Sequence, residues 1–306
     1  MMQKTVLITG GTGLVGSRLS ALLTAKGYAV RHLSRRRNLA AQYPAYAWSY
    51  QEGIIDADAL EGVQYIVHLA GANVAGKTWT AAYKKEIIDS RTATAALLAK
   101  AIRDQNINLT AFVSASATGY YGDTGAHRTD ETAPLAHTFL ATVCQAWEAS
   151  LTPITQSGVR TAILRIGIVL STHGGALSKL LPTYRIGVGS YFGDGTNYTA
   201  WVHIDDLCAM FCTALENANW QGVYNAVAPE PLTGKAFGQQ VGAALGSPNA
   251  LLIGAPAFAL RLAMGEMADM LLGSSCIVPT RTLAAGFEYQ FADLSVAVAD
   301  LVKRKL

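Results

Sequence analysis

The sequence predicts an α/β fold in which helices cover both faces of a parallel sheet. Two observations carry this. Short apolar runs of strand length alternate with segments of helical periodicity along most of the chain. The first run, Val6-Leu7-Ile8, opens directly into a glycine-rich turn, Thr9-Gly10-Gly11-Thr12-Gly13-Leu14-Val15-Gly16, and then into Leu19, Leu22 and Leu23 at helical spacing. Each of three glycines answers a demand. Gly10 permits a tight turn, Gly13 lets main chain approach a diphosphate, and Gly16 lets the helix pack close to the strand. The helix N-terminus offers free N–H groups and partial positive charge to phosphates. The expected sheet is therefore doubly wound, of Rossmann type, with about seven strands and a dinucleotide at its crevice.

The elements follow in order. Lys26-Gly27 closes the first helix, and Ala29-Val30-Arg31-His32-Leu33 reads as the second strand, ending at Ser34-Arg35-Arg36-Arg37. An acid at this place binds a free ribose 2′-hydroxyl, whereas arginine accommodates a 2′-phosphate. No acid is present, and the guanidinium forks of Arg35 and Arg36 suit a phosphate; NADP(H) is expected over NAD(H). Tyr46-Ala47-Trp48 reads as a short third strand and Tyr65–Gly71 as a fourth, with Leu69-Ala70-Gly71 passing beside the cofactor. His68 reads as a core histidine. A long helix spans Thr80 to Asp104, on which Glu86, Ser90, Arg91 and Thr94 fall within about two turns. Glu86 and Arg91 are expected near the cofactor and not in a surface ion pair. Ala111–Ser116 forms the fifth strand, a helix runs from about His137 to Gln156, Thr161–Leu170 forms the sixth strand and Gly222–Val227 the seventh.

Two stretches break the alternation. Residues 171–204 are rich in glycine and aromatics, and residues from 229 onward read as helical and apolar. Residues 1–228 are expected to form the cofactor-binding unit, with 171–204 inserted toward the substrate side, and 229–306 a smaller, mainly helical substrate-side lobe.

Composition narrows the function. A net charge of +3 is too small to argue for nucleic acid or a membrane surface as partner; a small-molecule substrate of unknown identity is expected. Cys144, Cys208, Cys212 and Cys276 include no C-x-x-C pair, and no histidines have H-E-x-x-H spacing, so neither disulfides nor a metal is expected. Cys208 and Cys212 are one turn apart and read as core-facing. The apolar stretch Leu251–Leu272 is broken by Pro256, Arg261, Glu266 and Asp269 and does not read as a membrane span. The start of the chain does not read as a signal peptide, and a reducing, cytoplasmic compartment is expected.

Taken jointly, several motifs resemble the extended short-chain dehydrogenase/reductase superfamily, which includes nucleotide-sugar epimerases and dehydratases, and within it the "epimerase family protein" branch with a distinctive C-terminal domain. They are the glycine loop, His68-Leu69-Ala70-Gly71, Trp79-Thr80 followed by Asp89-Ser90-Arg91, and Ser114–Gly122. Val143–Glu148, Gly167–Leu170, Trp201–Asp206, Asn225–Pro229 and Gly265-Glu266 complete the set. The resemblance implies NADP binding. On this reading the loop holds the cofactor through Gly10, Thr12, Gly13, Leu14, Val15 and Gly16. Further contacts are expected from Ser34, Arg35 and Arg36, from Leu69, Ala70 and Gly71, from Glu86 and Arg91, and from Ser114 and Ile168.

The superfamily's proton chemistry uses a serine or threonine with a Tyr-x-x-x-Lys pair, spaced to share one helix face. The lysine lowers the phenol's pKa and holds the nicotinamide ribose. Aligned through Glu148, the tyrosine position here holds Leu140 and the lysine position Cys144, and neither can take the role. Leu140, Cys144, Trp147 and Leu151 recur at three or four residues and are expected to pack. The serine is kept as Ser116, and Tyr120 and Tyr121 on the following loop are the expected substitutes for the missing hydroxyl. Two functions fit the sequence: an oxidoreductase or epimerase-like enzyme with altered acid/base groups, with slow turnover or none on ordinary alcohols and sugars, or a non-catalytic NADP(H)-binding sensor or interaction protein.

Overall fold

A computed structural model describes residues 3–304; positions 1–2 and 305–306, the outer ends of the two expected units, lie outside it. β1 (Thr5–Thr9) is buried at every residue, which is why its apolar run does not alternate. α1 (Leu14–Ala25) returns along the sheet to β2 (Ala29–Ser34) and β3 (Ala45–Ser49), and β4 (Ile54–Ile55) turns back on β3. The chain then crosses to β5 (Tyr65–His68), α2 (Ala81–Asp104) and β6 (Ala111–Ala117). α3 (Phe139–Ala149) and α4 (Thr152–Gln156) lead to β7 (Thr161–Ile166) and β8 (Ile168–Leu170).

The central sheet has eight strands in the order β12-β7-β6-β5-β1-β2-β3-β4, where β12 is Gly222–Ala226. Seven run parallel, and β4 is antiparallel to β3. The sequence expectation of about seven strands omits β4, because two residues cannot display a period of two. β1 pairs with β2 on one side and β5 on the other, and the chain moves outward from this point in both directions. The carboxyl ends of β1 and β5 therefore diverge into loops on opposite sides of a crevice, the usual ligand position in such a sheet.

Two expected elements are broken. Between α3 and α4 lies Ser150-Leu151, and Pro153 in the first turn of α4 has no N–H to continue the ladder. Between β7 and β8 lies Gly167, where an ideal Cβ would fall 2.7 Å from the Ala200 carbonyl oxygen. Past Gly167 the strand leaves the main sheet and β8 pairs instead with β11 (Trp201–His203).

The two irregular stretches pair with each other. α5 (Gly175–Arg185) precedes β9 (Val188–Phe192) and β10 (Tyr198–Thr199). After α6 (Ile204–Glu216) and β12, the chain forms β13 (Leu232–Thr233), α7 (Gly234–Ala244) and β14 (Leu251–Ala255). β14 pairs with β9 and β13 with β10, so the stretch from 229 is not helical throughout. α8 (Ala257–Met264), α9 (Asp269–Leu272), α10 (Thr280–Ala284) and α11 (Leu294–Lys303) finish the described chain. None of the described helices is long and apolar enough to cross a membrane.

One face of the sheet packs against α1, α6 and α11 through Leu19, Leu23, Phe211, Val298 and Leu301. Cys208 and Cys212 are buried in this layer, as their one-turn spacing predicts. The other face packs against α2 and α4 through Ala95, Leu98, Ile102 and Ile154.

Candidate cofactor crevice and the polar network beside it

The glycine loop is shaped by close approach. Gly10 has φ +67°, and an ideal Cβ there would lie 3.1 Å from the Leu69 carbonyl group. At Gly16 it would lie 2.3 Å from the Gly10 carbonyl oxygen, so α1 can start this close to β1 only with glycine. Gly13 caps α1 without a side-chain hydrogen bond, and the first turn carries no acid. The Gly13 N–H is taken by the Gly10 carbonyl at 3.0 Å, and the N–H groups that follow present main-chain donors and partial positive charge to the crevice with no side-chain cap.

Thr9 fastens the two diverging strands. Its Oγ1 accepts the N–H groups of Leu69 at 3.0 Å and Ala70 at 3.1 Å. Its own proton therefore goes to His68 Nδ1 at 2.9 Å. His68 Nε2 then carries the hydrogen and faces Thr94 Oγ1 at 3.4 Å. Burial pushes this imidazole down to about 4. His68 is a neutral structural group that holds Leu69-Ala70-Gly71 in place, as the sequence suggests.

A pH dependence follows. The unfolded chain takes up the His68 proton near 6.5, the fold only near 4. The stability this histidine contributes is complete above pH 6.5 and lost as pH falls through 4, amounting to about 3 kcal/mol. Urea unfolding of wild type and His68→Gln should give free energies that converge by about that amount between pH 7 and pH 4. Parallel curves would show that His68 does not titrate this way.

At the end of β2 the three arginines divide. Arg37 is taken by Asp56 at 2.9 Å and Asp58 at 2.6 Å and lies over the Tyr46 ring. Arg35 and Arg36 are exposed and make no ion pair among the described residues. Ser34 Oγ donates to the Arg36 carbonyl at 2.6 Å and accepts the Arg36 N–H at 3.2 Å, so its hydroxyl shapes the turn.

On α2 the expected pair separates. Glu86 is half-exposed and faces Lys77 at 3.9 Å, and it makes no ion pair with Arg91 among the described residues. Five residues turn a helix by about 140° beyond one revolution, so Glu86 and Arg91 cannot share a face. Arg91 points inward, buried, with Nη1 donating to the carbonyls of Ile87 at 2.8 Å and Ala72 at 3.1 Å. Ser114 also departs from expectation: it is fully buried and its hydroxyl donates to the Ala115 carbonyl. Ile168 is 41% exposed at the start of β8.

Beyond the crevice lies a buried polar network that the sequence did not reveal. Ser116 Oγ donates to Glu148 Oε1 at 2.7 Å. Arg165 clamps the same carboxylate from both sides of its fork, Nε to Oε1 and Nη2 to Oε2, each at 2.8 Å. Its Nη1 donates to the Tyr121 hydroxyl at 2.8 Å, and Tyr121 donates onward to Asn225 Oδ1 at 2.7 Å. Burial pushes the Tyr121 phenol up to about 12, although Arg165 pulls the other way. The expectation that Tyr121 carries proton chemistry is therefore corrected: its oxygen is enclosed and its proton committed. Tyr120 differs. It is half-buried, and the Arg165 guanidinium lies 3.3 Å from its ring centroid.

The helix face reads as expected at Cys144, Trp147 and Leu151, which are buried, while Leu140 is half-buried against Gly119. The Cys144 thiol is pushed up to about 11 by burial. The missed residues, Glu148 and Arg165, did carry a signal: each is a lone charge in an otherwise apolar helix or strand, and buried charges come paired.

Residues 6–226 match the model of the NAD dependent epimerase/dehydratase family, and residues 255–301 match a domain of unknown function, DUF1731. An epimerase family protein of Mycobacterium tuberculosis is 34% identical over 300 residues, covering 97% of both chains. The human epimerase family protein SDR39U1 is 34% identical, covering 97% of this chain and 99% of its own. A crystal structure of human SDR39U1 (isoform 2) with NADPH superposes with a TM-score of 0.87 at 32% identity, over 98% of this chain and 99% of that one.

Proposed function

The chain belongs to the NAD dependent epimerase/dehydratase family, and we propose that it is an NADP(H)-dependent oxidoreductase or epimerase-like enzyme that works without the Tyr-x-x-x-Lys pair. The observation that carries this is an anion-ready cradle, Gly10–Gly16, at the switch point of the sheet, with Arg35 and Arg36 exposed at the end of β2 and in no ion pair among the described residues. The cradle fits a dinucleotide: its close contacts leave no room for side chains, and no side chain among the described residues caps the start of α1. When bound, the cofactor supplies a hydride donor or acceptor. Residues 1–228 hold it, and 171–204 with 229–306 face a small-molecule substrate.

Ser116, already donating to Glu148, offers a lone pair to a substrate hydroxyl. Tyr120 supplies the second hydroxyl, and Leu140 and the neutral Cys144 thiol form an inert wall. Hydride transfer from NADPH across a panel of carbonyl compounds and nucleotide sugars tests this. Slow turnover that falls further in Ser116→Ala and Tyr120→Phe is expected; turnover at ordinary enzyme rates that survives both changes would overturn the roles. A second reading, an NADP(H) sensor, is favoured by the committed protons of Ser116 and Tyr121. Tight NADPH binding with no turnover on any compound would select it.

The cofactor preference has its own test. The Arg35→Ala/Arg36→Ala variant should lose about 1.5–3 kcal/mol of NADPH affinity per lost contact and leave NADH affinity unchanged. Equal wild-type affinities for the two cofactors would refute the preference.

A further inference from the structure

Among the described residues, Ser116 touches one group that can receive its proton. The hydroxyl donates to Glu148 Oε1 at 2.7 Å. Arg165 takes one lone pair from each oxygen of that carboxylate and, as a guanidinium, accepts nothing itself. The Cys144 thiol is also near Ser116, but burial pushes it up to about 11, and its hydrogen is given to the Ala117 carbonyl at 3.5 Å. Tyr121 lies beyond the fork, with its own proton given to Asn225. The pair is enclosed without being sealed. Ser116 keeps 3% exposure and the Glu148 side chain 14%, whereas Ser114, on the same face of β6, keeps none. β6 ends one residue past Ser116, at Ala117, on the carboxyl edge of the sheet where the crevice opens.

We propose that Glu148, acting through Ser116, is the proton acceptor that stands in for the missing Tyr-x-x-x-Lys pair. The inference rests on the chain being an enzyme that interconverts an alcohol and a carbonyl with NADP(H). In the oxidative sense the substrate O–H bond breaks and its proton bonds to Ser116 Oγ, while the Ser116 proton passes to Glu148 Oε1. The carbinol carbon gives up its hydrogen with the electron pair, as hydride to NADP+, and C–O becomes C=O. The alcohol is oxidised by two electrons and the nicotinamide is reduced by two. Ser116 ends as it began. Glu148 holds one proton, which returns in the reverse sense or leaves to water over the exposed edge of the side chain. A carboxylate one hydroxyl removed from the substrate is within the reach a base needs. Arg165 fixes its direction and also sets its limit. Once Glu148 is neutral the buried guanidinium has lost its counter-charge, so the protonated state is high in energy. That matches the slow turnover expected without the phenol and lysine.

The test is a proton count. The alcohol formed from whichever panel compound NADPH reduces fastest is mixed with NADP+ and wild type. A single turnover is followed by NADPH fluorescence in mixtures of light and heavy water. The rate should fall along a downward-bowed curve with deuterium fraction, because two protons move in the same step. A linear fall, or none, would mean that at most one proton moves, and the relay fails. Tyr120→Phe should be slower yet keep the bowed curve. Glu148→Gln keeps an oxygen for the Ser116 hydrogen but cannot hold its proton. It should lose about a hundredfold in rate with half-saturation by the alcohol within threefold of wild type. If its amide against the Arg165 fork prevents cooperative melting, Arg165→Met/Glu148→Gln is compared with Arg165→Met instead. A folded glutamine variant that turns over at its parent's rate would show that Glu148 only supports Ser116. No turnover of any panel compound, by a wild type that binds NADPH, would remove the enzyme reading and the relay together; turnover with one proton in flight would remove the relay alone.

Discussion

Gly16→Val is expected to weaken NADPH binding on the order of a hundredfold or more, while costing about 1–3 kcal/mol of stability. The atoms that an ideal Cβ would strike are main chain: the Gly10 carbonyl oxygen at 2.3 Å and the Gly11 Cα at 2.7 Å. Main chain cannot rotate aside as a side chain can, so α1 must back away from the loop. Its first N–H groups then miss the position they share with Gly10–Gly13, and charge-assisted bonds to phosphate are lost together. The loss is specific to place, which a second glycine makes testable. Gly27 has φ +87° with nothing within 4 Å of an ideal Cβ. Gly27→Ala should cost about 1 kcal/mol of stability through backbone strain and leave NADPH affinity alone. Calorimetric titration of both variants decides it. Gly16→Val binding NADPH within threefold of wild type would show that this helix start does not hold the diphosphate.

The same contrast explains what the sequence could and could not disclose. Glycine spacing, the apolar run of β1 and the basic turn after β2 are local signals, and each lies within a few residues of the feature it specifies. Pairing of β9 with β14 and of β10 with β13 joins residues far apart in the chain, with no local pattern to mark it. The direction of a helical side chain is legible in principle: counting residues puts Glu86 and Arg91 on different faces. Tyr120 and Tyr121 are indistinguishable as sequence neighbours. Only the strand geometry of Arg165 and Asn225, 44 and 104 residues further on, encloses one hydroxyl and leaves the other.

Arg165→Met is expected to lower stability by about 3–5 kcal/mol, the largest loss among the substitutions considered. Arg165 is 4% exposed and makes three charge-assisted bonds, two to Glu148 and one to Tyr121. Methionine fills most of its volume, so the cost is electrostatic: a Glu148 carboxylate left in the interior with only the Ser116 hydroxyl to face it, and a Tyr121 oxygen without its donor. The double variant Arg165→Met/Glu148→Leu removes both ions and should regain at least half of the loss, a coupling of about 2 kcal/mol or more. Urea unfolding of wild type, both single variants and the double closes the cycle. A single-variant loss below about 1 kcal/mol would mean that water reaches the pair. Function should follow a different order. In Glu148→Leu the Ser116 proton has no fixed acceptor, so the hydroxyl can rotate and no longer offers its lone pair in one direction. The double variant should therefore recover stability without recovering whatever turnover the wild type shows, which separates the network's hold on the fold from its hold on Ser116.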